Sequence, residues 1–305
     1  EIGVRLVGSE MCIRDRLMTA VFGVFVLAGC SEDDLKKTSA VLDSPTVEND
    51  FDRWLAKNYM EPYNIDFKYR FKDVLGDMDY NLTPADYGQA IKLAKLTLHL
   101  TLQVYDEVTG NRQFISENFP KIVHVIGSPA YNENNNIVLG VAEGGKMMTL
   151  YQVNIIDYLL STKNIAQLNE LFFKTMHHEF GHILHQTRPY STDFNAVTPS
   201  SYVGDACFDT YRTDAAARQA GFITRYSSKA PDEDFVEQLS LYVTSTAAEW
   251  EAILAQGGSA GRPLLEQKND IMRAYMLSTW DINIDELRKV VLRRQNEIWS
   301  LDYNI

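Results

Sequence analysis

Residues 174–186 read Lys-Thr-Met-His-His-Glu-Phe-Gly-His-Ile-Leu-His-Gln and hold four of the chain's six histidines, at 177, 178, 182 and 185. On a helix, residues four apart stand about 6 Å apart along the axis and about 40° apart around it, so His178 and His182 project from one face. Two imidazoles so placed can converge on one ion, and neutral imidazole suits zinc at about 2.0–2.1 Å. Glu179, about 100° further round, can reach a water on that ion without displacing a ligand. Two ligands with a base beside the water is the division of labour of metal-assisted hydrolysis, and HExxH is its sequence mark. Gly181 leaves the helix face open for close approach by another element. His185 lies about 10.5 Å along the axis from His178, too far to share its ion, and reads as a histidine that supports the ligands from behind or fills the core. His177 points elsewhere and receives no role. The alternative is a His-rich surface helix that holds no metal.

A catalytic zinc needs three protein donors and one open position. Residues 231–239, Pro-Asp-Glu-Asp-Phe-Val-Glu-Gln-Leu, open a helix in which Glu233 and Glu237 are four apart and share a face. Glu233 as the third ligand, with Glu237 hydrogen-bonded to the outer nitrogen of a ligating histidine, would complete the set. Alternatively, these acids only complement the positive end of the helix dipole. A phenol beside a metal suits donation to a tetrahedral oxyanion, and a tyrosine near such a site can equally be structural. Asp77, Asp79 and Asn81 imitate the opening of a calcium loop, but Leu82 and Gly88 stand where that loop needs Gly and Glu, so no calcium is expected.

The order HEFGH at 178–182, Gly-Phe-Ile-Thr-Arg-Tyr at 221–226, then Glu233 and Glu237 resembles the gluzincin peptidases of the lethal-factor toxin type. That resemblance implies zinc on His178, His182 and Glu233, Glu179 as general base, Glu237 behind the ligands and Tyr226 as oxyanion donor. The metzincin pattern is disfavoured, because His185 and Arg188 stand where it has Gly and His. Near the N-terminus, an uncharged apolar run at 17–27 follows Arg14 and Arg16 and is too short to span a membrane, which takes roughly 20 residues. Leu27-Ala28-Gly29-Cys30 after it looks like a bacterial lipobox, with Cys30 lipidated, and Ser-Glu-Asp-Asp at 31–34 resembles a surface-export signal. An ordinary signal peptide cut at a small residue is the alternative. Together these features resemble the substrate import-associated zinc metallohydrolase lipoproteins, which accompany TonB-dependent nutrient importers. The resemblance implies a peptide or protein substrate, an importer and its surface binding lipoprotein as partners, and an outer-membrane lipid anchor facing outward.

The elements that must position these groups follow from periodicity. The 305 residues are 45% apolar and 23% charged, an ordinary globular balance, and three cysteines are too few for a disulfide framework. With 29 Lys and Arg against 41 Asp and Glu, the charge of −12 disfavours nucleic acid and anionic lipid surfaces. Residues 1–16, which begin on Glu1 and lack periodicity, are expected to be assembly read-through; residues 1–29 comprise these and the signal peptide, 30–50 the lipid anchor and tether, and 51–305 one metallopeptidase domain. Within it, 51–59 reads as helix and 65–71 as strand. Thr83 and Pro84 open a helix to about 108, and strands at 122–126, 137–142 and 147–153 are joined by Asn-rich and Gly-Gly turns. Asn164 and Gln167 start the helix that carries the histidines. Two short helical stretches are expected in 211–243 and a strongly helical 262–299. The expected fold is therefore α+β and zincin-like, with a small, mostly antiparallel sheet, an HExxH helix and a helical C-terminal lobe. Strand 147–153, just before the zinc helix, is the expected partner for an extended peptide. Cys207 reads as a small buried hydrophobe. The function expected is a zinc hydrolase, most simply a peptidase. The rival is a non-catalytic lipoprotein with a relic zinc site that captures glycan or peptide for the importer; a relic would be free to lose Glu179.

Overall fold

The apolar stripes along 87–109 and 165–187 build two long helices whose buried residues share one core with those of a small sheet. The computed structural model describes residues 48–72, 75, 80–131, 137, 138, 140–143 and 145–305. The apolar run, Cys30, most of the tether, Asp77, Asp79 and the Asn-rich turn at 132–136 lie outside the described residues. Helix α1 (Asp50–Leu55) is capped reciprocally by Asn49 and Asp52 and runs on through a π turn at Ala56–Met60 to Tyr63, where Asn64 in the left-handed conformation ends it. Strand β1 (Asp66–Lys68) follows. Helix α2 (Tyr87–Thr97) continues through a π turn at Leu98–Leu102 into Gln103–Thr109. It begins later than its sequence suggests. Pro84 is not its first residue but forms an isolated bridge with Ile126, and Asp86 N donates to Asn154 Oδ1 at 2.7 Å, so a tertiary tie holds this segment extended.

Helix α3 (Gln113–Asn118) leads to strands β2 (Ile122–Val125), β3 (Ala130–Tyr131), β4 (Ile137–Val138), β5 (Gly140–Glu143) and β6 (Met147–Leu150). The main sheet has the order β1-β2-β6-β5, with β1–β2 and β2–β6 parallel and only β5–β6 antiparallel; β3 and β4 form a separate antiparallel pair. The expectation of a mostly antiparallel sheet is thus corrected. A chain that crosses from β1 to β2 through α2 and α3 returns pointing the same way, whereas only the tight turn after β5 reverses it. Strand β6 is also flanked on both sides, so it cannot receive a peptide as expected; the edge on that side is β5.

After α4 (Ile156–Ser161), residues Ile165–Leu168 and a π turn at Asn169–Phe173 lead into α5 (Lys174–Thr187), with Asn164 Oδ1 accepting from Gln167 N at the start. The buried face of α5 meets α2 and the sheet: the Phe180 ring lies 5.1 Å from those of Tyr105 and Phe119, and Thr101 Oγ1 donates to the Met176 sulfur. Past the loop-rich 188–213 come α6 (Asp214–Gln219), α7 (Pro231–Thr244), α8 (Ala247–Gln256), α9 (Gly258–Trp280) and α10 (Ile284–Glu297). Helix α7 has fourteen residues rather than being a short stretch, because it is buried against α5, α9 and α10. A Cβ at position 181 would come within 2.9 Å of Val236 Cγ1 and 3.1 Å of Leu239 Cδ2, so Gly181 is what lets α7 approach α5 this closely. Cys207 is buried and unpaired. Among the described residues no helix is long and apolar enough to cross a membrane.

Candidate metal centre

Pro231 occupies the first turn of α7, where its missing N–H costs nothing, and three acids follow it. Successive helical residues turn by about 100°, so the acids go to three different partners. Asp232 Oδ1 accepts from Tyr190 OH at 2.6 Å, Asp234 turns inward to Lys268, and Glu233 faces the histidines of α5. Glu233 Oε2 stands 3.2 Å from His178 Nε2 and 3.2 Å from His182 Nε2, and ligating atoms of the three residues lie within 4.8 Å of one another. Donors about 2.05 Å from a shared tetrahedral ion are about 3.3 Å apart, so the two N···O edges already have the spacing that zinc requires. Two imidazoles and a carboxylate are also the donor chemistry of catalytic zinc.

Each donor is held from behind. His178 Nδ1 meets Glu237 Oε1 at 2.9 Å; Glu237 also accepts from Lys174 Nζ at 2.7 and 2.9 Å and from Thr224 Oγ1 at 2.7 Å. This pairing puts the proton of His178 on Nδ1 and leaves Nε2 for an ion. His182 Nδ1 meets His185 Nε2 at 3.0 Å, which fixes the second ring in the same sense. His185 is buried against Tyr190 and Phe235, and burial lowers its pKa, keeping it a neutral acceptor. His177 points away from this group: its Nδ1 meets Tyr105 OH at 3.0 Å inside the core, where burial pushes its pKa down to about 4.

Charges around the site reinforce the geometry. Burial opposes ionisation of Glu233, yet hydrogen bonds and charge from His178 and His182 hold its carboxyl well below the usual range. Glu237 is likewise held low against burial, by Lys174 and His178. Burial depresses His178, but Glu233 and Glu237 outweigh it and lift the metal-free ring to about 9. Tyr226 OH donates to Glu233 Oε1 at 2.9 Å, and its ring centroid lies 6.1 Å from that of His178. Burial first, then the Glu233 charge, raises the phenol well above its ordinary pKa, so it stays a donor. Glu179 is half-buried one residue after His178, and its charge acts on both His178 and Tyr226.

Lys174, Thr224 and Lys229 were not anticipated from sequence. Lys174 sits four residues before His178, a helical spacing that could have flagged it; Thr224 lies on a loop and carries no such signal. Cys30 lies outside the described residues.

A family model described as "Putative zinc-binding metallo-peptidase" matches residues 44–285. The crystal structure of a putative zinc-binding metallo-peptidase from Bacteroides caccae is similar at a TM-score of 0.73 and 38% identity, covering 84% of this chain and 95% of that one. No curated protein matches the chain. With four-fifths of its length under the family model and a two-histidine, one-glutamate cluster of zinc chemistry between α5 and α7, the chain belongs to the family of zinc-binding metallo-peptidases.

Proposed function

We propose that the protein is a gluzincin-type zinc peptidase in which His178, His182 and Glu233 hold the metal and Glu179 is the general base. The observation that carries this reading is the convergence of both Nε2 atoms on one oxygen of Glu233, from a helix fifty residues away in sequence. Zinc bound there would polarise a substrate carbonyl and acidify a water. Glu179 is placed to take a proton from a water as its oxygen bonds to the substrate carbonyl carbon, and to deliver that proton to the amine nitrogen as the C–N bond breaks. Tyr226 exchanges its bond to Glu233 Oε1 for one to the oxyanion, a role worth a few kcal/mol in such sites. Glu237 and His185 keep the two imidazoles oriented. Strand β5, antiparallel to β6 and packed beside α5, offers its outer edge for an extended peptide. The chain is tethered through lipidated Cys30 to the outer membrane, facing outward beside a TonB-dependent importer and its surface binding lipoprotein, a reading supported by Leu-Ala-Gly-Cys at 27–30 and the acidic residues after it. Protease shaving of intact cells tests the location.

Metal analysis with peptide-library digestion tests the chemistry. A Glu179→Gln variant is expected to keep one zinc and lose turnover by about 10²–10⁴-fold. Glu233→Ala is expected to lose zinc. Unchanged metal content in the second variant would remove Glu233 from the ligand set, and retained turnover in the first would require another base.

A further inference from the structure

Three lysines stand close to the metal centre or to the helix that carries Glu233, and they differ in one respect. Lys174 is spent on both oxygens of Glu237, and buried Lys268 donates to Asp234 Oδ2 at 2.5 Å and to Gly221 O at 2.8 Å. Lys229 makes no hydrogen bond among the described residues. Its Nζ lies 3.9 Å from Glu233 Oε1 and 3.8 Å from Asp205 Oδ1, both beyond hydrogen-bond range, and its side chain is 35% exposed. The ammonium is nonetheless placed, because it lies 5.3 Å from the centroid of the Tyr226 ring, on the same 3₁₀ turn, Tyr226–Lys229. The neighbouring rim is aromatic and of mixed charge: Phe208, 38% exposed, stacks on Tyr226 at 6.2 Å, the Arg225 guanidinium lies 5.0 Å over Phe208, and Asp214 Oδ1 lies 3.7 Å from Arg225 Nε.

We propose that Lys229 determines specificity by binding a substrate carboxylate close to the cleaved bond, from an acidic side chain or from the peptide's C-terminus. The inference rests on the peptidase reading above. An ammonium whose N–H groups make no hydrogen bond among the described residues and whose two ion pairs are long, beside the phenol assigned to the oxyanion, is what a carboxylate one residue away would need. Overall composition does not account for the placement: in a chain of net charge −12, a cation at this rim is a local feature. When a dication is bound, the charge of Glu233 is shared with it, and Lys229 is freer to meet an incoming anion.

The test uses the zinc-loaded full chain and three peptides of otherwise identical sequence: a Glu peptide and a Gln peptide blocked at both ends, and a Gln peptide with a free C-terminus. Turnover is followed as kcat/KM, and binding as Kd on the Glu179→Gln protein. The Glu peptide, the free C-terminus or both should be favoured about tenfold over the blocked Gln peptide, the size of one added hydrogen bond to a charged group. The preference should weaken with salt, and the two carboxylate peptides distinguish side chain from terminus. Lys229→Met should bring the ratio to about one with zinc stoichiometry unchanged, and Lys229→Glu should turn it against carboxylates. A preference that survives Lys229→Met, or that the unmodified protein lacks, overturns the proposal. So does loss of zinc from Lys229→Met, which would mean that the lysine only steadies Glu233. If no peptide is cleaved but binding discriminates, the peptidase reading fails and the role of Lys229 stands; cleavage without discrimination gives the reverse.

Discussion

Removing the Lys268 ammonium should show how much the buried ion pair behind the metal centre contributes to the stability of the fold. Lys268 and Asp234 have fully buried side chains, and Asp234 Oδ2 also accepts from Tyr202 OH at 2.9 Å. The same ammonium holds Gly221 O, on the loop leading to Tyr226, and lies 4.4 Å from the Phe222 ring centroid. It therefore ties the first turn of α7 to the segment that carries the phenol. Lys268→Met keeps most of the volume but leaves Asp234 charged and unpaired in the core, which typically costs about 3–5 kcal/mol. For a domain of this size that lowers Tm by on the order of 10 °C. The pH dependence has a definite sign. Burial raises the Asp234 carboxyl from 3.8 to about 6 despite the pull of Lys268, so folding takes up a proton in that window and the contribution to stability falls as pH rises through it. Without Lys268 the folded value rises further while the unfolded value stays. The deficit of the variant should therefore be largest above about pH 7 and shrink as pH falls. Urea unfolding with zinc chelated, at pH 8 and pH 5.5, measures this directly, since bound metal would add its own stability. A deficit below about 1 kcal/mol, or one equal at both pH values, would refute the reasoning. Lys268→Met combined with Asp234→Leu should recover most of the loss, because no charge is then stranded.

Two further outcomes follow from the site. Glu237→Gln should weaken zinc binding about 10–100-fold in a chelator competition, because Lys174 loses its counter-charge and His178 is left with a neutral amide acceptor in place of a carboxylate; affinity within twofold of the unmodified protein would dismiss that support. Zinc affinity should rise with pH by about one log unit per unit and level off near 9, since the metal-free His178 titrates at about 9 and must release its proton to bind; a flat profile between pH 6 and 8 would contradict it.

How far the sequence reaches depends on the range over which each feature is decided. The shared face of His178 and His182, the place of Glu179 beside them and the room above Gly181 are consequences of helical geometry within one turn, so they could be read directly. The cap at Asn164 and the first turn of α7 behind Pro231 are local in the same way. Sheet direction was not legible, because it is set by how the chain travels between strands: β2 runs parallel to β1 and to β6 across long connections, and only β5, joined to β6 by a tight turn, is antiparallel in the main sheet. Pro84 likewise looked like a helix start until Asn154 and Ile126 held it extended. Among the acids at 232–234, propensity and dipole treat all three alike. Only the packing of α7 on α5 sends Glu233 to the histidines, Asp234 to Lys268 and Asp232 to Tyr190. Thus the donors carried by α5 are determined by a spacing of four along one helix, whereas the third donor and the groups that hold it are chosen by contacts between segments far apart in the chain.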